Sequence, residues 1–152
     1  MKEEKDLLKK YKTIFVEEFE GASVEEAIKN ALNSLKMSTD EIKIKILFEG
    51  EPGLFGLKGS KPARIKVFPN LEKIENVIKY FTIKLLDFIK EKISFVDIEV
   101  LDGVVEIKII FDEKSILDKI KSLEIDNALY ILIKCFVDKL LSKDCKINIK
   151  FG

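Results

Sequence analysis

Residues 21–35 read GASVEEAIKNALNSL. Ser23 and Glu26 fit a capping box, in which the hydroxyl and the carboxylate three residues on satisfy each other's backbone donors at a helix start. Val24, Ala27, Ile28, Ala31, Leu32 and Leu35 then recur at helical spacing, giving one apolar stripe. Working outward, residues 13–20 (TIFVEEFE) form a strand candidate carrying Phe15 and Phe19, and Gly21 ends it. Residues 38–41 begin a turn. Ile42, Ile44 and Ile46 alternate with Lys43 and Lys45, and Ala63, Ile65 and Val67 alternate with Arg64 and Lys66, so both runs read as half-buried strands. Between them residues 49–59 hold Pro52, Gly53, Gly56 and Gly59 and must be a loop. The first unit is therefore β-α-β-β. Residues 1–11 read either as a short helix or as a frayed start.

Beyond Pro69 the pattern changes. Ile74, Val77, Ile78, Phe81, Leu85, Phe88 and Ile89 describe a long helix with a wide apolar face. Residues 95–101 and 104–111 alternate around Asp102-Gly103, a strong hairpin signal because the tight turn needs positive φ at both positions. Residues 115–123 and 126–141 read as helices, the second with Leu129, Leu132, Ile133, Phe136 and Leu140 inward. Residues 145–151 close with a strand. The order is α-β-β-α-α-β, and the whole chain is α+β, with an extension (1–12), a first domain (13–70) and a second (71–152).

The chain has 152 residues, 47% of them hydrophobic, with 27 Lys+Arg and 27 Asp+Glu. Nucleic-acid binders usually carry a basic surplus that neutralises phosphates, and none exists overall. Residues 73–152 hold 14 Lys and 14 Asp+Glu, so the second unit is neutral as well. There is no His, which removes the commonest general base and metal ligand. Cys135 and Cys145 form no close-spaced pair and read as small core hydrophobes of a reduced, cytosolic protein. The start lacks the apolar core of a signal peptide, and no stretch approaches a membrane span.

No catalytic constellation is visible: no nucleophile elbow, phosphate-binding Walker loop or Cys/His cluster. Glu17, Glu18 and Glu20 read as a solvated strand edge rather than an acid–base site. The most unusual run is Gly53-Leu54-Phe55-Gly56-Leu57-Lys58-Gly59-Ser60-Lys61-Pro62-Ala63-Arg64. In one reading its backbone donors with Lys58, Lys61 and Arg64 form an anion or RNA-phosphate surface. In the other, glycines shape the loop while Leu54, Phe55 and Leu57 fold under it to seal the sheet. The two are compatible.

These residues carry a resemblance. GASVEEAIKNAL, EIKIKIL and GLFGLKGSKPARIKV look like the N-terminal domain of the Jag (SpoIIIJ-associated, EloR) family, over residues 13–68. The α-β-β-α-α-β order resembles a type II KH domain, which follows that domain in the family. The run Ile125-Asp126-Asn127-Ala128-Leu129-Tyr130 looks like the start of its long helix. The resemblance implies RNA binding and a cytoplasmic role in cell elongation and envelope growth, at the inner membrane face when a partner recruits it. The implied partners are a second small KH protein or a membrane-protein insertase, and a homodimer is a further option. No cofactor, no metal and no sequence-specific DNA binding are expected.

Two departures stand out. A KH domain binds nucleic acid through a Gly-x-x-Gly loop, whose glycines let the backbone approach the sugar-phosphate chain. Here that loop is expected at Lys119-Ile120-Lys121-Ser122, without either glycine. Lys119 and Lys121 could still meet phosphates, and Ser122 is at least small. The family also ends in a module carrying Arg-x-x-x-His, and this chain has no His, which suggests a cut or shortened member. Two non-enzymatic functions are carried forward: a Jag-type RNA-binding regulator, and a protein-interaction scaffold whose KH domain has lost RNA binding.

Overall fold

The computed structural model describes residues 15–51, 60–141 and 143–152. The reading of residues 1–11, the start of the first strand candidate, and Gly53, Leu54, Phe55, Gly56, Lys58 and Gly59 lie outside them. The described chain is α+β and divides into two units that part between Glu72 and Lys73.

The first unit runs β1 (Glu17–Gly21), α1 (Val24–Leu35), β2 (Ile42–Phe48) and β3 (Ala63–Pro69). The strands form an antiparallel sheet in the order β1-β3-β2. β3 is central, which explains why Ala63, Ile65 and Val67 are fully buried. Ala27, Ala31 and Leu35 of α1 are fully buried too, as the stripe predicts. Small residues at 27 and 31 let the helix lie close on the sheet. Ser23 Oγ accepts from Glu26 N at 3.2 Å, but Glu26 Oε2 reaches back to Ala22 N (3.0 Å) instead of the cap residue itself. Gly21 belongs to β1 rather than following it, and β1 begins only at Glu17. A Cβ on Gly21 would lie 2.4 Å from Ala27 N, so the strand end meets the helix start at a distance only glycine permits. In β2 the expected alternation of burial breaks: Ile46 is 49% exposed. The register shifts only after Ile46, which still pairs with the buried Ile65, so Ile46 keeps the inward phase at the less covered end of an edge strand.

The second unit runs α2 (Ile74–Phe88), β4 (Ile93–Leu101), β5 (Val104–Phe111), α3 (Lys114–Ser122), α4 (Ile125–Leu141) and β6 (Lys146–Phe151). Its sheet is mixed: β4 pairs antiparallel with the central β5, and β5 pairs parallel with β6. Asp102 (φ 51°) and Gly103 (φ 76°) make the expected tight hairpin turn.

Both long helices differ from their sequence reading. On α2, Asn76, Val77, Ile78, Tyr80, Thr82, Ile83 and Leu86 are buried, while Phe88 is 85% exposed. Thr82 enters the core because its hydroxyl donates back to Ile78 O (2.8 Å), which satisfies it internally. On α4 the inward set is Leu129, Ile133, Val137 and Leu140. Leu132 is exposed instead, and Phe136, partly covered, stacks on Phe81 of α2 with centroids 4.0 Å apart. Cys135 is exposed as well, against the expectation of a core thiol, whereas Cys145 is buried. α4 is apolar almost all round, so periodicity alone does not choose its inner face.

α4 is anchored to the start of β6 by a polar cluster. Lys134 Nζ donates to Asp138 Oδ2 (3.0 Å), Asp144 Oδ1 (2.6 Å) and Cys145 O (2.9 Å). Asp138 Oδ1 accepts from Cys145 N at 2.8 Å. Those bonds hold the Lys134 ammonium above its usual range and the Asp138 carboxyl below its own. Burial pushes the Cys145 thiol up.

Candidate nucleic-acid interface

In the first unit, Glu51 and Lys61 exchange two backbone hydrogen bonds of 2.9 Å. This bridge closes the base of the glycine-rich segment, and both Lys61 and Pro62 are exposed beside it. Arg64 sits on the exposed face of β3. Its Nη2 donates to Glu18 Oε2 at 2.7 Å, and its Nε lies 3.8 Å from Glu20 Oε1. These carboxylates raise the guanidinium's pKa further. Arg64 therefore faces two acids of β1, and the Glu18–Glu20 pair is the partner of a cation.

The same face carries cations that the motif reading passed over. The register puts Lys45 opposite Lys66 and Lys43 opposite Phe68. Lys43, Lys45 and Lys66 thus extend outward from β2 and β3, on the side opposite the buried Ile42, Ala63, Ile65 and Val67. No ion pair holds any of the three among the described residues. Lys66 also stands opposite Glu18 of β1, so the like-charge contact with Lys45 is offset at Lys66, and Lys43 and Lys45 are the cations best placed to meet an anion. The signal was in the sequence, since each lysine occupies the polar phase of an alternating strand.

In the second unit, Lys119–Ser122 is not a loop. These residues form the last turn of α3, with Ile120 only 1% exposed. Ile116 and Ile120 are four apart and both buried, so the helix has reason to continue. Ser122 Oγ donates to Lys119 O (3.1 Å). Lys119 Nζ meets Glu91 Oε1 at 2.5 Å, while Lys121 is exposed. The turn joining α3 to α4 is Leu123-Glu124, where Glu124 takes a left-handed φ of 57°. It is too short for a four-residue Gly-x-x-Gly loop.

Beside that turn an open groove of about 450 Å³ runs between the first turns of α4 and the edge strand β6. Asp126, Asn127 and Tyr130 line one wall and residues 147–151 the other. Ile147, Ile149 and Phe151 give it an apolar floor, and Lys150 is its one cation. Asn148 Nδ2 donates across the parallel pair to Glu106 Oε1 (2.8 Å). An exposed aromatic ring, amides and a lysine over an apolar floor suit an unstacked base and its phosphate. Asp126 opposes a second phosphate. None of these residues stood out as a site in the sequence, although residues 125–130 carried the resemblance. Among the described residues no group of three or more His, Cys, Asp or Glu could hold a metal, and no helix is long and apolar enough to cross a membrane.

Residues 19–69 match the model of a family described as Jag N-terminus. The RNA-binding protein KhpB of Bacillus subtilis (strain 168) is 32% identical over 60 residues, which cover 40% of this chain and 29% of that relative. The match thus spans less than a third of the relative's length. The resemblance drawn from the capped helix and the glycine run is borne out, and the α-β-β-α-α-β unit lies beyond the segment that the family model covers. Over residues 19–69 the first unit of this chain is thus similar to the Jag N-terminal family.

Proposed function

We propose that this protein is a non-enzymatic RNA-binding regulator of the Jag type. The observation that carries the reading is the groove between α4 and β6, set in a unit whose α-β-β-α-α-β order and mixed sheet are those expected of a type II KH domain. The Jag N-terminal match and the name of the relative support it. Single-stranded RNA stacks a base on Tyr130 and sets a phosphate near Lys150, while Lys43, Lys45 and Lys66 supply sequence-independent phosphate contacts from the first unit. A cytoplasmic role in cell elongation and envelope growth, with a small KH protein or an insertase as partner, belongs to the same proposal.

The scaffold reading keeps one specific observation in its favour. Arg64 and Lys119, two of the cations expected at phosphates, face Glu18, Glu20 and Glu91 instead. The two readings separate in fluorescence anisotropy with short single-stranded RNAs at low and physiological salt. Binding that weakens with salt, and that Tyr130→Ala reduces, supports RNA recognition in the groove. No binding at either salt refutes it and leaves the scaffold.

A further inference from the structure

The groove between α4 and β6 carries unlike polar groups on its two walls. Asp126 and Tyr130 belong to α4, and Lys150 to β6. Asp126 and Tyr130 are four residues apart, one turn of helix, so both side chains stand on the face that looks into the groove. Tyr130 is 40% exposed and Asp126 half-buried. Among the described residues none of Asp126, Asn127, Tyr130 and Lys150 is held in an ion pair or a side-chain hydrogen bond, so each is available to a ligand.

Charge orients a nucleotide between those walls. A phosphate is drawn to the Lys150 ammonium and repelled by the Asp126 carboxylate, so the backbone lies towards β6 and the base towards the first turn of α4. A base stacked on the Tyr130 ring then presents its edge to Asp126. An ionised carboxylate only accepts hydrogen bonds, and it does so through two oxygens. Of the four RNA bases, guanine alone carries two neighbouring donors on its Watson–Crick edge, the ring N–H and the exocyclic amino group. Adenine and cytosine set one amino donor beside a ring-nitrogen acceptor, and uracil sets one N–H between two carbonyl oxygens. Each of those three therefore turns an acceptor towards the carboxylate. The Asn127 amide both donates and accepts, which suits several bases and selects none.

We propose that Asp126 is the specificity-determining residue of the groove and selects guanine in single-stranded RNA. Its two carboxylate oxygens accept from the ring N–H and the amino group while the base stacks on Tyr130. This selection rests on the reading of the groove as an RNA site and adds which base that site takes. It also accounts for an acid in a phosphate-binding groove, where a carboxylate without a base to read would only weaken affinity.

Fluorescence anisotropy of the full chain tests it with a labelled oligouridine carrying one central guanosine, adenosine, cytidine or inosine. The guanosine strand should bind about tenfold more tightly than the adenosine or cytidine strand, the discrimination expected of one bidentate pair. Inosine keeps the ring N–H and lacks the amino group, so its strand should lose most of that advantage. Asp126→Asn should bring the guanosine and adenosine strands within about twofold of each other, whereas Tyr130→Ala should weaken all the strands alike. A role for Asp126 confined to the positive end of the helix would instead lower the variant's melting temperature and leave the base preference as it was. Free GMP, titrated to millimolar concentration by NMR, separates the base from the strand. RNA binding without a guanosine preference, or a preference that survives Asp126→Asn or the change to inosine, overturns selection by Asp126 and leaves RNA binding standing. Binding of GMP that Asp126→Asn abolishes, with no binding of any strand, keeps the guanine site and refutes the RNA reading. No binding of either overturns both.

Discussion

Replacing Lys43, Lys45 and Lys66 together by glutamine tests whether the outer face of the first sheet meets RNA phosphates. The three ammonium groups lie on one side of β2 and β3, with Lys45 directly opposite Lys66. Each phosphate neutralised on a single strand contributes about 0.7 to the slope of log affinity against log salt. Three contacts therefore steepen it by about 2. Between ~50 and ~200 mM salt the natural protein should lose roughly 20-fold more affinity than the triple variant. The same substitutions remove both the Lys45–Lys66 repulsion and the attraction between Lys66 and Glu18 opposite it, so the melting temperature should change little. Binding then changes while stability holds, which a merely structural role would not produce. The assay is anisotropy of a labelled single-stranded RNA across a salt series, with calorimetry of both proteins. A natural protein that binds with a steep salt slope, and a variant with the same slope, would refute the assignment of this face.

Gly21→Ala should destabilise the first unit by about 3 kcal/mol, the upper end of overpacking costs. The added methyl would stand 2.4 Å from Ala27 N and 2.8 Å from Glu26 C, both backbone atoms that cannot rotate away. Calorimetry should show a fall of roughly 10 °C or more in that unit's transition. Asp138→Asn should lower the second unit's melting temperature at neutral pH. The folded carboxyl is held below its ordinary value of 3.8, first by the Cys145 N–H and then by Lys134. Its stabilisation is therefore present above the unfolded value and lost as pH falls through the depressed folded one, so melting curves of the two proteins should converge only at acid pH. A thiol-reactive disulfide reagent should modify Cys135 quickly in dilute protein and Cys145 only on unfolding, since one is exposed and the other buried with its thiol pKa raised.

The order of elements was legible because each carried a local signal: a cap at Ser23, alternation at Ile42 and Ala63, Asp102-Gly103 between two strands. What was not legible depended on partners distant in sequence. The inner face of α4 could not be read from a helix apolar on nearly every side. Contact with α2 and β6 chose Leu129, Ile133 and Val137 and left Leu132 and Cys135 outside. Ile46 keeps its strand's alternation, opposite Ile65, yet is 49% exposed at the end of an edge strand, which no residue type announces. The α3–α4 turn was misplaced by counting back from Tyr130, whereas the Ile116–Ile120 spacing would have carried the helix through Ser122. The groove joins residues 126–130 to residues 147–151, and no local pattern in either segment indicates the other.

Equal numbers of acids and bases argued at first against phosphate binding, and that argument weakens once positions are known. Neutrality would exclude a phosphate surface only if the charges were evenly mixed. Here acids sit where they engage particular cations: Glu18 and Glu20 on Arg64, Glu91 on Lys119, Asp138 and Asp144 on Lys134. Those pairs use up much of the acidic charge near the sites and leave Lys43 and Lys45, with Lys66 beside Glu18, together on one sheet face. Arg64 and Lys119, engaged in those pairs, are thus weaker phosphate candidates than lysines that looked like ordinary strand residues. Glu18→Gln with Glu20→Gln would release Arg64. If the sheet face binds RNA, that double variant should bind more tightly and with a steeper salt slope, whereas a pure scaffold would show no RNA affinity to gain.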